Sequence, residues 1–66
     1  MALPPKMVYY RLKAQLSQTE VAAKLEVDPS AVSRWEAGVN PPLKKYRRKL
    51  AEIYGCTEED LLKPMD

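Results

Sequence analysis

No histidine occurs anywhere in the chain, and its single cysteine is Cys56. Without histidine the usual zinc spacings cannot be written, and one thiol permits no internal disulfide. Neither kind of staple is available to hold the chain together, and no metal or other cofactor is expected. The same shortage argues against an enzyme. No imidazole can serve as a general base, Cys56 has no base near it in sequence, and the acidic EED from Glu58 to Asp60 reads as the negative first turn of a helix. Uncharged runs fall far below the roughly 18 apolar residues of a membrane span, and the N-terminus lacks the apolar core of a signal peptide. A cytoplasmic protein with no membrane partner is the expectation.

Length is also short. A chain of 66 residues makes at most one domain, and chains of this size bury only about 60% of the surface that their unfolded forms expose. The core must be thin. Several short packed helices fit; a large catalytic cleft does not. The initial methionine and the short tail point to a whole protein, a single domain over residues 1–66.

The net charge of +2 does not by itself indicate a polyanionic partner, but the charges are segregated. Lys44, Lys45, Arg47, Arg48 and Lys49 stand together, while Glu52, Glu58, Glu59, Asp60 and Asp66 make the C-terminal end acidic. Taken alone, the basic run is a solvated helix face. It acquires a use only from what lies beside it.

Punctuation along the chain falls at intervals suited to short helices. Pro4 and Pro5 close an extended arm over residues 1–5. From Lys6 to Ala14, the residues Met7, Val8, Arg11, Leu12 and Ala14 can share one broad face, which predicts a first helix. Ser17 opens a second, because SQTE sets a serine three residues before Glu20 as a capping box, and Val21, Ala22 and Leu25 form a buried stripe. Asp28 before Pro29 starts a third: the carboxylate accepts orphan amide hydrogens, and proline at the first helical position loses nothing by lacking one. Val32 and Trp35 face inward, and Gly38 stops the helix. After VNPP, Leu43, Tyr46, Leu50, Ile53 and Tyr54 repeat as a fourth amphipathic helix closed by Gly55. Thr57 caps a last turn holding Leu61 and Leu62. Strand signals, internal repeats and low-complexity segments are absent, so the expected fold class is all-α, five short helices.

The outer face of the third helix is unusual in what it carries. In a helix from Pro29 to Ala37, Ser30, Ser33, Arg34 and Ala37 fall at i, i+3, i+4 and i+7, opposite Val32 and Trp35. Small residues let a helix approach another surface closely, hydroxyls pair with base edges or phosphates, and an arginine fork matches the two acceptors of guanine in the major groove. On their own these are ordinary solvent-exposed side chains. A second short helix joined to them by a tight turn makes the pair a helix-turn-helix unit, whose second helix enters the major groove.

The run LSQTEVAAKLEVDPSAVSRWEAG, the following Pro42 and the later LAEIYGCTEEDLL resemble the Cro and phage-repressor type of helix-turn-helix domain, the XRE family, from about Met7 to Leu62. The resemblance implies a lambda-repressor-like bundle in which the motif occupies about residues 17–38. It also implies a transcription regulator of bacterial or phage type that binds a double-stranded DNA operator, as a homodimer on two half-sites. By position, Pro29, Ser30, Ser33 and Arg34 match base-facing residues; proline brings no side-chain hydrogen bond, so Arg34 and Ser30 carry most of the readout. Gln18 matches a residue that contacts phosphate and braces the recognition helix. Asn40 matches a phosphate-touching loop position, with Lys44 and Lys45 near the same backbone. Arg11 and Glu36 match a partly buried structural ion pair that ties the first helix to the end of the third.

Departures from the family pattern occur at Gln15 and Glu26, where many relatives have a left-handed glycine, and at Lys44 and Arg47, where many have apolar residues. A dimer surface would come from the region of Tyr54, Cys56, Leu61, Leu62 and Met65. A module of the same fold that binds protein in place of DNA, as in an antitoxin or coactivator, is the alternative function. RNA binding fits less well, because the tyrosines are better placed as core than as exposed stacking platforms.

Overall fold

Residues 5–63, which the computed structural model describes, run through five helices: α1 (Met7–Lys13), α2 (Gln18–Leu25), α3 (Pro29–Ala37), α4 (Lys44–Tyr54) and α5 (Glu58–Leu62). The fold is all-α. Residues 1–4 of the arm, together with Met65 and Asp66, lie outside the described residues.

Side-chain caps start α2, α3 and α5, and glycines end α3 and α4. Ser17 Oγ accepts from the Glu20 amide at 3.0 Å while Glu20 Oε1 accepts from the Ser17 amide at 3.0 Å, so two orphan donors at the start of α2 are satisfied reciprocally. Asp28 Oδ1 caps α3 by accepting from the Ser30 amide at 3.4 Å, with Pro29 at the first helical position. Thr57 Oγ1 accepts from the Asp60 amide at 3.1 Å and starts α5. Gly38 and Gly55, at φ +77° and +68°, end α3 and α4 in the left-handed conformation that glycine adopts without strain.

One core joins all five helices. Met7 comes from α1, Val21, Ala22 and Leu25 from α2, and Val32 and Trp35 from α3, all at most 7% exposed. Leu50, Ala51 and Leu61 complete it from α4 and α5. The tight α2 to α3 packing follows from the facing stripes Val21–Ala22–Leu25 and Val32–Trp35. The segment before α1 meets the end of α5, since the Lys6 amide donates to the Lys63 carbonyl at 2.8 Å.

Three apolar residues lie elsewhere than their spacing predicts: Ala14 is the exposed C-cap just beyond α1, and Leu12 and Leu43 also face solvent. Leu12 is 60% exposed. The inner line of α1 runs through Met7, Tyr10 and Arg11 at i, i+3 and i+4, and Leu12, five residues after Met7, falls about 140° round the helix. Tyr10 packs against the core in its place. Leu43 is 65% exposed because it is the N-cap of α4, with an extended backbone, and lies outside the helical register; Pro42 just before it is buried.

Gln15 and Glu26 hold φ of +60° and +58°. Left-handed backbone at a residue with a Cβ costs roughly 1–2 kcal/mol, partly offset by the smaller entropy that a non-glycine chain loses on folding. Gln15→Gly and Glu26→Gly are each expected to stabilise the fold by about 0.5–1 kcal/mol, a rise of several degrees in melting temperature for a domain this small. Thermal unfolding by circular dichroism measures it, and a melting temperature unchanged or lowered at both positions would show that these turns carry no strain.

Candidate nucleic-acid interface

Three helices meet at the carboxylate of Glu36. Its position one residue before the C-terminal end of α3 leaves it only 7% exposed, so its charge needs partners. Arg11 of α1 supplies a fork: Nε donates to Oε2 at 2.6 Å and Nη2 to Oε1 at 3.1 Å. Gln18, the first residue of α2, adds a third donor, Nε2 to Oε1 at 3.0 Å. The remaining guanidinium nitrogen of Arg11 is engaged as well, Nη1 donating to the Leu16 carbonyl at 2.9 Å. The hydrogen bond to Glu36 raises the Arg11 pKa, with desolvation opposing. Burial holds the Tyr54 phenol protonated well above its usual range, the Glu36 charge pushing the same way and Arg11 the other, so α4 also borders this cluster.

The opposite side of α3 faces solvent. Pro29, Ser30, Ser33, Arg34 and Ala37 are all exposed. Arg34 Nη2 donates to Ser30 Oγ at 3.4 Å, and Ser30 Oγ donates to Asp28 Oδ1 at 3.3 Å. Beside this face a cavity of about 140 Å³ is lined by Ala31, Arg34, Trp35 and Asn40, which brings the linker residue Asn40 next to the arginine. Trp35 packs its indole on Tyr46, with centroids 5.6 Å apart, and Lys45 Nζ sits 4.9 Å over the Tyr46 ring. The stack sets Lys45, on the first turn of α4, close to α3.

Arg34 and Asn40 thus line one cavity beside α3, Lys45 reaches that side through the Tyr46–Trp35 stack, and Lys44 is exposed on the first turn of α4. Gln18 lies at the start of α2 with its amide nitrogen engaged by Glu36. The rest of the basic run divides. Arg48 and Lys49 are exposed, whereas Arg47 is half-buried, with Nε sealed from solvent and without a hydrogen-bond partner. Arg47 shares the inner line of α4 with Leu50, Ala51 and Tyr54, so its stem acts as apolar filling. Asp28 was visible in the sequence only as a cap; its link to Arg34 through Ser30 follows the spacing i, i+2, i+6 across a helix start.

The suggested dimer surface needs correction at Leu61, which is 0% exposed and lies in the core. Tyr54 and Cys56 are half-buried against that core, and Leu62 is 37% exposed; Met65 lies outside the described residues.

Two short helices packed across the tight turn from Glu26 to Asp28, the second turning a small polar face outward, define a helix-turn-helix protein. A helix-turn-helix family model matches residues 8–61, and the chain belongs to that family, of the Cro and phage-repressor type. The family is one of DNA-binding transcription regulators. No curated protein and no solved structure matches the chain significantly. Among the described residues no helix is long and apolar enough to cross a membrane, and no group of side chains is assembled to hold a metal ion.

Removing one partner of a buried charge pair leaves the other uncompensated, at a cost of about 3–5 kcal/mol. Arg11 keeps some exposure, so Arg11→Ala and Glu36→Ala are each expected to destabilise the fold by about 3 kcal/mol, and the double variant by less than the sum. A double-mutant cycle read by thermal or urea unfolding checks this; small, strictly additive losses would contradict it.

Proposed function

We propose that this protein is a sequence-specific regulator of transcription, of bacterial or phage type, that inserts α3 into the major groove of a double-stranded operator. The observation that carries the proposal is the outward face of α3: serines and one arginine fork on a helix whose other side is fixed by Trp35, Val32 and the Glu36 cluster. A groove-reading helix needs a small outer face for close approach and a rigid inner one for register.

In this arrangement Arg34 pairs with guanine O6 and N7, and Ser30 and Ser33 lie against neighbouring base edges, with Pro29 in van der Waals contact only. Gln18, Asn40, Lys44 and Lys45 flank the face and take the phosphates on either side. The N-terminus of α2 adds its own attraction for an anion. Because one such helix spans only a few base pairs, two copies occupy two half-sites about one helical turn apart. Occupying the operator requires no bond to be made or broken, which accords with a chain that lacks histidine. The acidic residues Glu58, Glu59 and Asp60 form the first turn of α5, separate in sequence from the basic first turn of α4.

Base contacts specify and phosphate contacts position, so the two sets of residues should fail differently. On a duplex selected from a random pool, Arg34→Ala is expected to lose about 1–3 kcal/mol and to flatten discrimination at one base pair of each half-site, with a much smaller loss on random DNA. Lys45→Ala should weaken all sequences alike and reduce the slope of log affinity against log salt by about one unit per site. Fluorescence anisotropy titrations at two or more salt concentrations measure both. Full site preference retained by Arg34→Ala would show that α3 does not read bases. Binding with no salt dependence, or none at all, would favour the protein-binding module.

A further inference from the structure

Arg34 does not stand free on the surface of α3. Its guanidinium Nη2 donates to Ser30 Oγ at 3.4 Å, and the same oxygen lies 3.3 Å from Asp28 Oδ1. A serine hydroxyl has one hydrogen and two acceptor sites. Arg34 can only donate and an ionised Asp28 can only accept, so the chain of bonds has a single direction: Arg34 gives to Ser30, and Ser30 gives to Asp28. Both ends are charged, which strengthens the neutral link between them. Asp28 is itself fixed, because its Oδ1 also accepts from the Ser30 amide at 3.4 Å as the N-cap of α3.

We propose that Asp28 is a positioning residue for base recognition, which acts without touching DNA by holding the Arg34 guanidinium, through Ser30, in the orientation that reads a base. This rests on the reading of α3 as the major-groove helix. An arginine side chain free to rotate gives up considerable rotamer entropy when it pairs bidentately with a base, and it reaches phosphates as readily as base edges. Bound along one side to Ser30, Arg34 has fewer orientations to lose, and its other nitrogens remain open toward the groove.

The chain of bonds also alters what Ser30 offers. With its hydrogen given to Asp28, the hydroxyl presents only a lone pair, which fits an amino group of adenine or cytosine and not a carbonyl acceptor. The anionic Asp28 beside Arg34 further weakens the attraction of this face for phosphates in general. The network therefore raises discrimination while adding nothing to affinity for random DNA.

The test separates positioning from helix capping. Glycine is tolerated at an N-cap almost as well as aspartate, whereas asparagine keeps an acceptor oxygen in the same place. Preference for the selected base over the other three at the Arg34 base pair, and affinity for random duplex, are measured for the wild type and for Asp28→Gly, Asp28→Asn, Ser30→Ala and Arg34→Ala, each confirmed folded by thermal melt. Asp28→Gly and Ser30→Ala are expected to lower that preference about threefold to tenfold, the value of one ordinary hydrogen bond. Asp28→Asn should lower it at most about twofold, and random-duplex affinity of Asp28→Gly should not fall. Wild-type preference in Asp28→Gly, or equal loss in the asparagine and glycine variants, overturns the assignment while leaving base reading by Arg34 intact. If Arg34→Ala itself keeps the preference, both the assignment and the groove reading fall.

Discussion

The bidentate contact between Arg11 and Glu36 is the constraint on which the placement of α3 depends. It spans 25 residues of sequence and joins α1 to the far end of α3, where no apolar side chain could fix a direction so tightly. Apolar packing is non-directional and tolerates sliding, whereas a guanidinium fork on a carboxylate admits one relative orientation. Gln18 brings α2 to the same carboxylate. Three helices thus share one anchor, and hydrogen-bond geometry joins the thin core in setting the angle of α3 to α2.

Such an anchor is not there chiefly for stability. Desolvating two ions costs several kcal/mol, and a buried pair often does no better than apolar residues of the same shape. Here the desolvation is moderated by the exposure that Arg11 keeps, and each of the three guanidinium nitrogens donates, to Glu36 or to the Leu16 carbonyl. Orientation is what the pair contributes. The buried stripe of Val21, Ala22, Leu25, Val32 and Trp35 supplies the attraction between α2 and α3, and the ion pair chooses among the ways in which these surfaces could meet.

Much of this was legible in the sequence where the determining chemistry is local. The Ser17–Glu20 capping box, Asp28 before Pro29, Thr57, Gly38 and Gly55 mark helix ends within a few residues, and each mark coincides with a boundary in the structure. Leu12 and Leu43 were less legible because apolar character does not state which way a side chain points. An ambiguity of one residue, about 100° of rotation, on a seven-residue helix is enough to misplace Leu12, and Leu43 lies one residue before its helix begins. The proximity of Arg11 to Glu36 had no local signal and came only from the resemblance to a family. The Asp28–Ser30–Arg34 chain had a local signal that reads first as a cap, since the same oxygen serves both bonds.

The strained turns belong to the same design. Gln15 and Glu26, both left-handed without being glycine, stand two residues before the N-cap of α2 and at its C-cap, so the positive-φ strain at non-glycine residues among those described falls at the two ends of one helix. Each turn is closed by backbone bonds: Leu16 amide to Arg11 carbonyl at 3.2 Å, and Val27 amide to Ala22 carbonyl at 3.0 Å. At the first, the reversal at Gln15 swings the Leu16 carbonyl back over Arg11, where Nη1 takes it. Arg11 therefore grips the turn through its main chain and its side chain at once, and the same side chain holds Glu36. A relaxed turn at residue 15 that moved the Leu16 carbonyl would free a donor of the fork, and a freed fork could rotate away from Glu36. The strain at Gln15 and the orientation of α3 are linked through a single guanidinium, so that a cost of about 1 kcal/mol in the first turn is tied to the angle at which α3 stands.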